Sequence, residues 1–210
     1  MNNINQLTIQ NSVLALIDHQ PFVAFPIQSI TATELINNAT ALAKVGKELE
    51  IPTVLTTINA KGGPLNDPLF VQISSIFPNH DVIDRVNTNA WSDPKFKDAI
   101  KATKRKKIIM AGLWTEVCLA QTAISAMKDG YEVFFVSDAS GGLSPESHND
   151  AKLRMIQAGA QPLTWAAVMA ELCPDNTTEE YKRLYSVVIE NGQGVSAPVQ
   201  YIMANLNNKN

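Results

Sequence analysis

The sequence predicts an α/β protein built on a mostly parallel sheet, and three observations carry that expectation. Short apolar runs recur along the chain, at residues 13–17, 53–58, 82–83, 107–113, 131–136 and 161–164. Most of these runs are continuously apolar instead of alternating, as expected for strands covered on both faces. Segments with helical spacing lie between them, and strands alternating with helices argue for crossover connections and a parallel sheet.

Taken in order, the first run ends in Asp18-His19-Gln20, and the second is entered through Ile51-Pro52. Between them, residues 34–49 place Leu35, Ile36, Ala39, Leu42, Ala43 and Val45 at helical spacing. Residues 96–103 read as a shorter helix. Residues 119–128 carry Leu119, Thr122, Ala123, Ala126 and Met127 on one side, with Gly130 placed to stop the helix. Residues 147–158 follow the fifth run, with Gly159 as their stop. Two stretches read as loops: 59–68, with Gly62, Gly63, Pro64 and Pro68, and 138–145, with Gly141 and Gly142. No internal repeat is visible. Residues 177–190 read as a last helix with Tyr181, Leu184, Tyr185 and Val188 on one face. Residues 191–202 look extended, and the Asn-rich end, 205–210, is expected to fray. The chain therefore divides into a domain at 1–175 and a C-terminal helix and arm at 176–210. The arm either folds back on the domain or packs on a neighbouring subunit.

A length of 210 residues suffices for one core without requiring two. With 45% hydrophobic and 18% charged residues and a net charge of −3, neither a nucleic acid nor an anionic membrane is an expected partner. The short basic run at 104–107 reads as a solvated loop. No apolar stretch reaches the ~20 residues needed to cross a bilayer, and the polar start MNNINQLTIQNS lacks the form of a signal peptide. Cys118 and Cys173 are far apart and form no CxxC pair. A reducing, cytoplasmic setting follows as the simplest expectation, with each thiol free for its own role.

In an open parallel sheet, ligands bind outside the carboxyl ends of the strands. Asp18, Asp84 and Arg85, the segment Thr115–Cys118, and Asp138 all fall there. Thr115 is placed to cap a helix, leaving Cys118 in its first turn, where unpaired N–H groups lower a thiol pKa and serve a developing oxyanion. A buried, inert cysteine is the plainer alternative. Asp18 suits a proton acceptor or simply a turn residue, and Arg85 taken alone suits a surface salt bridge. His19, His80 and His148 show no ligand spacing, so neither a metal nor a cofactor is expected. The absence of GxGxxG, GxxxxGK[ST] and GxSxG argues against dinucleotide binding, a phosphate loop and a serine elbow.

At these residues the chain resembles the isochorismatase-like cysteine hydrolases, most nearly their YcaC-type branch, over roughly residues 10–172. VLALIDHQPF is similar to the family's opening strand, and IIMAGLWTEVCLAQTAISAMKDGYEVFFVSDAS to its nucleophile strand, cysteine, helix and following strand. IPTVLTT, NAWSDPKF and AGAQPLTW stand in the expected order. The resemblance implies a three-layer α/β/α sandwich with a six-stranded sheet. It further implies an aspartate–lysine–cysteine triad that hydrolyses a C–N bond, with Asp18 and Cys118 as two of its members. The implied oxyanion donors are the backbone N–H groups of Trp114 and Cys118, the former after a cis Leu113–Trp114 peptide.

One departure stands out: no lysine lies between Lys61 and Lys95, and the position matching the family's lysine is Arg85. Arginine keeps the charge but does not readily shuttle a proton. Gln20, Phe22, Phe25, Asn89, Trp91, Trp114 and Thr115 are the candidates to line a pocket for a small-molecule substrate. The relatives' assembly into rings implies a homo-oligomer, an octamer by resemblance. A non-catalytic oligomeric scaffold and a thiol redox sensor are the rival readings.

Overall fold

A computed structural model of the chain describes residues 6–61 and 67–207. Six strands form one sheet: β1 (Ser12–Ile17), β2 (Thr53–Ile58), β3 (Val82–Arg85), β4 (Lys107–Gly112), β5 (Glu132–Val136) and β6 (Gln161–Leu163). Every pairing is parallel, and the order is β3-β2-β1-β4-β5-β6. β1 therefore lies beside both β2 and β4, and the direction of winding reverses between β1 and β4. That switch point opens the crevice where such sheets bind ligands.

Strand alternation divides the core into two faces. Leu14, Leu16, Leu55, Ile109, Ala111, Phe134 and Val136 belong to one core cluster, together with residues of α2 (Ala32–Glu48), α3 (Val71–Ser74), α7 (Trp165–Leu172) and α8 (Glu179–Asn191). Val13, Ala15, Ile17, Ile108, Met110, Val133 and Phe135 belong to the other, with α4 (Pro94–Ala102), α5 (Ala120–Lys128) and α6 (Pro145–Gln157). The result is the three-layer sandwich that the family resemblance implies, and the continuous apolar runs are the two-sided burial of its strands.

The helix ends follow local chemistry. Thr31 and Glu34 form a reciprocal capping box on α2, while Asp93, Ser144, Thr164 and Thr178 cap α4, α6, α7 and α8. Gly130 (φ +83) and Gly159 (φ +107) take the left-handed conformation that ends α5 and α6.

The structure corrects several expectations. Residues 191–202 are not extended: Gln193–Val195 form a 3-10 turn and Ser196–Asn207 form α9. Seven of the twelve residues of α9 lie in the segment read as extended; residues 208–210 of the expected frayed end lie outside the described residues. Of the loop expected at 59–68, residues 62–66 also lie outside them. α7 and two single-turn helices, α1 (Pro21–Ala24) and α3, go beyond the sequence reading, the latter two being too short to show a period. The basic run is not wholly solvated: Lys107 is buried, with its Nζ donating to Gln6 O at 2.6 Å. α8 folds back on α2, joined by Asn37–Asn191 and Lys44–Asn191 hydrogen bonds and by Leu184 and Val187 in the core. Among the described residues, no helix is long and apolar enough to cross a membrane.

Candidate active site

Three side chains from three strand ends meet at the switch point. Asp18 follows β1 in the left-handed region (φ +58), one of the few conformations there that a short polar side chain tolerates. Its N–H donates to Thr56 O at 2.9 Å and its carbonyl accepts from Gln20 N–H at 2.8 Å, so the chain turns sharply on leaving the sheet. Arg85, the last residue of β3, reaches across β2, and its Nη2 donates to Asp18 Oδ2 at 2.6 Å. Its Nη1 donates to Asn87 O. Both members of the ion pair are completely buried, so Arg85 is not the surface salt bridge it suggests in isolation. Cys118, also buried, interacts with both Asp18 and Arg85. Asp18 Oδ1 has no hydrogen-bond partner among the described residues.

The electrostatics reverse one expectation. Burial raises the Asp18 carboxyl to about 6, with Arg85 pulling the other way. Burial, and then the Asp18 charge, push the Cys118 thiol up to about 12 against the opposing pull of Arg85. The helix start does not leave a resting thiolate, because desolvation and an adjacent carboxylate both disfavour a second negative charge. Both shifts run in the same sense, towards a neutral thiol beside the Asp18 carboxyl.

The turn carrying Cys118 also differs from the expected capped α-helix. Thr115–Leu119 is a π turn whose N-cap position is Trp114. Trp114 O accepts from Val117 N–H at 3.0 Å and Leu119 N–H at 3.3 Å, passing over Cys118 between them. Thr115 caps nothing, since its buried hydroxyl is hydrogen-bonded to His148 Nδ1 at 2.8 Å. The Leu113–Trp114 peptide is cis.

A cavity of about 250 Å³ opens onto Cys118. Of the anticipated lining residues, Gln20, Phe22 and Trp114 are there, with Trp114 Nε1 tied to Val23 O at 2.7 Å. Phe25, Asn89, Trp91 and Thr115 stand elsewhere. Phe25 is exposed on a separate groove, because α1 turns it outward. Asn89 caps the Ala90–Ser92 turn and bonds Ser125, and Trp91 packs against Phe96 and Tyr131 with its Nε1 on Asp129. Sequence reasoning missed Val23, Ile58, Asn59, Asp67, Thr88 and Val117, which long-range packing brings to the cavity without a local motif.

The residues flanking Asp18 act as a clasp. His19 Nε2 lies 2.9 Å from Ala139 O, and His19 O accepts Phe70 N–H at 2.7 Å. The Gln20 carboxamide pairs with Ile58 N–H (2.8 Å) and Ile58 O (3.2 Å), then with Asp67 O (2.6 Å). Both ends of the segment after β2 are thereby fastened to the end of β1.

The doubly wound sheet gathers the buried Asp18–Arg85 pair and Cys118 at its switch point. The chain belongs to the isochorismatase family: the isochorismatase domain model matches residues 12–167. It is 39% identical to the probable hydrolase YcaC of Escherichia coli over 184 residues, covering 86% of this chain and 88% of that one. The crystal structure of E. coli YcaC, described as an octameric hydrolase of unknown specificity, superposes with a TM-score of 0.90 at 33% identity, covering 100% of both chains. YcaC from Pseudomonas aeruginosa, determined with hexane-2,5-diol and covalent acrylamide, gives a TM-score of 0.90 at 32% identity, covering 96% of this chain and 99% of that one.

Proposed function

We propose that this hydrolase cleaves the C–N bond of a small amide through a thioester on Cys118. Asp18 takes the thiol proton as sulfur attacks the carbonyl carbon, and the N–H groups of Trp114 and Cys118 receive the oxyanion. Asp18 then gives that proton to the departing nitrogen, and the C–N bond breaks. Water attacks the thioester, its proton passing to Asp18, and the carboxylic acid leaves as the thiol is re-formed. Arg85 holds Asp18 in place and keeps it ionised without exchanging protons itself.

The observation that carries this reading is the buried Asp18 carboxylate paired with the Arg85 guanidinium beside the buried Cys118. The covalent acrylamide in the P. aeruginosa relative supports a pocket of amide size. Ammonia release from a panel of small primary amides tests it: Cys118→Ala is expected to abolish release and Arg85→Lys to reduce it. Turnover unchanged in Cys118→Ala would eliminate the mechanism.

The same reading makes the chain a homo-oligomer. An apolar groove of about 540 Å³ beside exposed Phe25 and Val71 supports self-association, as does the octamer described for the E. coli relative. Light scattering on the purified protein measures it, and a monomer at micromolar concentration would refute it.

A further inference from the structure

We infer that Asp67 sets the charge of the molecule this pocket accepts: a small amide whose body is apolar and which carries a cationic or N–H-donating group, with anionic amides excluded. For the word amide this rests on the proposed hydrolysis; the charge selection does not.

Asp67 is buried and lines the same cavity as Cys118. It reaches the cavity because Gln20 holds its carbonyl, while its Oδ2 accepts Phe22 N–H at 2.8 Å. A carboxylate can accept about four hydrogen bonds. Among the described residues Oδ1 has no partner.

Asp67 is the only charged side chain among the described residues lining the cavity. Arg85 is not among the described residues lining the cavity, and its two terminal nitrogens are committed to Asp18 and Asn87 O. The remaining walls are largely Phe22, Val23, Ile58, Trp114 and Val117. A carboxylate held among apolar walls calls for a donor or a cation, and a second anion there meets repulsion that water screens poorly. The volume equals that of roughly eight water molecules at ~30 Å³ each, so ligand and carboxylate lie within direct reach.

The test labels Cys118 with two methanethiosulfonates of matched size, aminoethyl (cationic) and sulfonatoethyl (anionic), read on the Cys118 peptide by mass spectrometry. It needs no turnover, so its failure is distinct from failure of the hydrolase reading. The cation-to-anion rate ratio, divided by that of free glutathione, is expected to exceed unity by about tenfold in the wild type. Asp67→Asn, which keeps an acceptor for Phe22 N–H, is expected to remove most of that preference, and Asp67→Glu to keep it. A wild-type ratio equal to that of glutathione overturns the inference without any variant. So does a preference that survives intact in Asp67→Asn.

Discussion

Arg85 Nη2 lies 2.6 Å from Asp18 Oδ2, and neither side chain touches solvent. The pair joins β3 to β1 across the intervening strand, so it is both a structural tie and the setting of the proposed base. Removing one partner leaves the other charge buried and uncompensated.

Arg85→Met is therefore expected to destabilise the protein by about 3–5 kcal/mol, whereas the double variant Asp18→Asn/Arg85→Met recovers much of that loss. Denaturant unfolding of the wild type, Arg85→Met, Asp18→Asn and the double variant measures it. Additive losses would mean that the pair is not coupled.

The rate should follow the ionisation of Asp18. With the carboxyl raised to about 6, kcat/KM for an accepted amide is expected to climb with pH up to a plateau beginning near neutrality. The thiol, at about 12, adds no falling limb below pH 10. Because Arg85 pulls the Asp18 value down, Arg85→Met should move the rising limb to higher pH. A limb that stays in place would separate Arg85 from Asp18 ionisation.

Acid should weaken the fold through its histidines. Burial lowers His19 and His148 to about 4, so between pH 6.5 and 4 the unfolded chain binds protons that the folded chain refuses. Their stabilisation is complete above 6.5 and is lost as pH falls towards 4. Asp18 acts oppositely, since its raised value lets the folded state hold a proton below about 6 that the unfolded state releases until 3.8. Each shift corresponds to roughly 3 kcal/mol at most, with His148 discounted for its solvent contact, leaving a net loss of about 1–3 kcal/mol by pH 4. Unfolding free energies across this range check it, and His148→Gln, which can still bond Thr115, should flatten the slope.

Gln20→Leu removes the clasp between β1 and the two ends of the segment after β2. It should cost about 1–3 kcal/mol, because Ile58 and Asp67 lose partners that water replaces poorly in the interior. Limited proteolysis should cut between Asn59 and Phe70 faster than in the wild type. Unchanged cleavage would show that the clasp does not hold this segment.

Much of the sandwich was legible because strand burial writes itself as continuous apolar runs and two helix ends as Gly130 and Gly159. The strand ends offered Asp18 and Cys118 only as candidates beside a turn residue and an inert cysteine, and the family resemblance singled them out with Arg85. Thr115 misled because capping is a local inference, and the tertiary contact with His148 claimed its hydroxyl. Trp91 and Asn89 misled because neighbourhood in sequence is not neighbourhood across the sheet. The order of β3 and β2 beside β1 decided that Arg85 meets Asp18, and burial at that meeting point decided that the thiol rests neutral. Asp67 had no signal of its own, for its place depends on the Gln20 hydrogen bonds. By itself the sequence determined the α/β class and the strands, because these follow from local periodicity, while the three layers and the candidates Asp18, Arg85 and Cys118 came from the family resemblance. Only the tertiary structure decided charge states, the cavity wall and the partner of each polar group, because desolvation and long-range pairing exist only once the chain is folded.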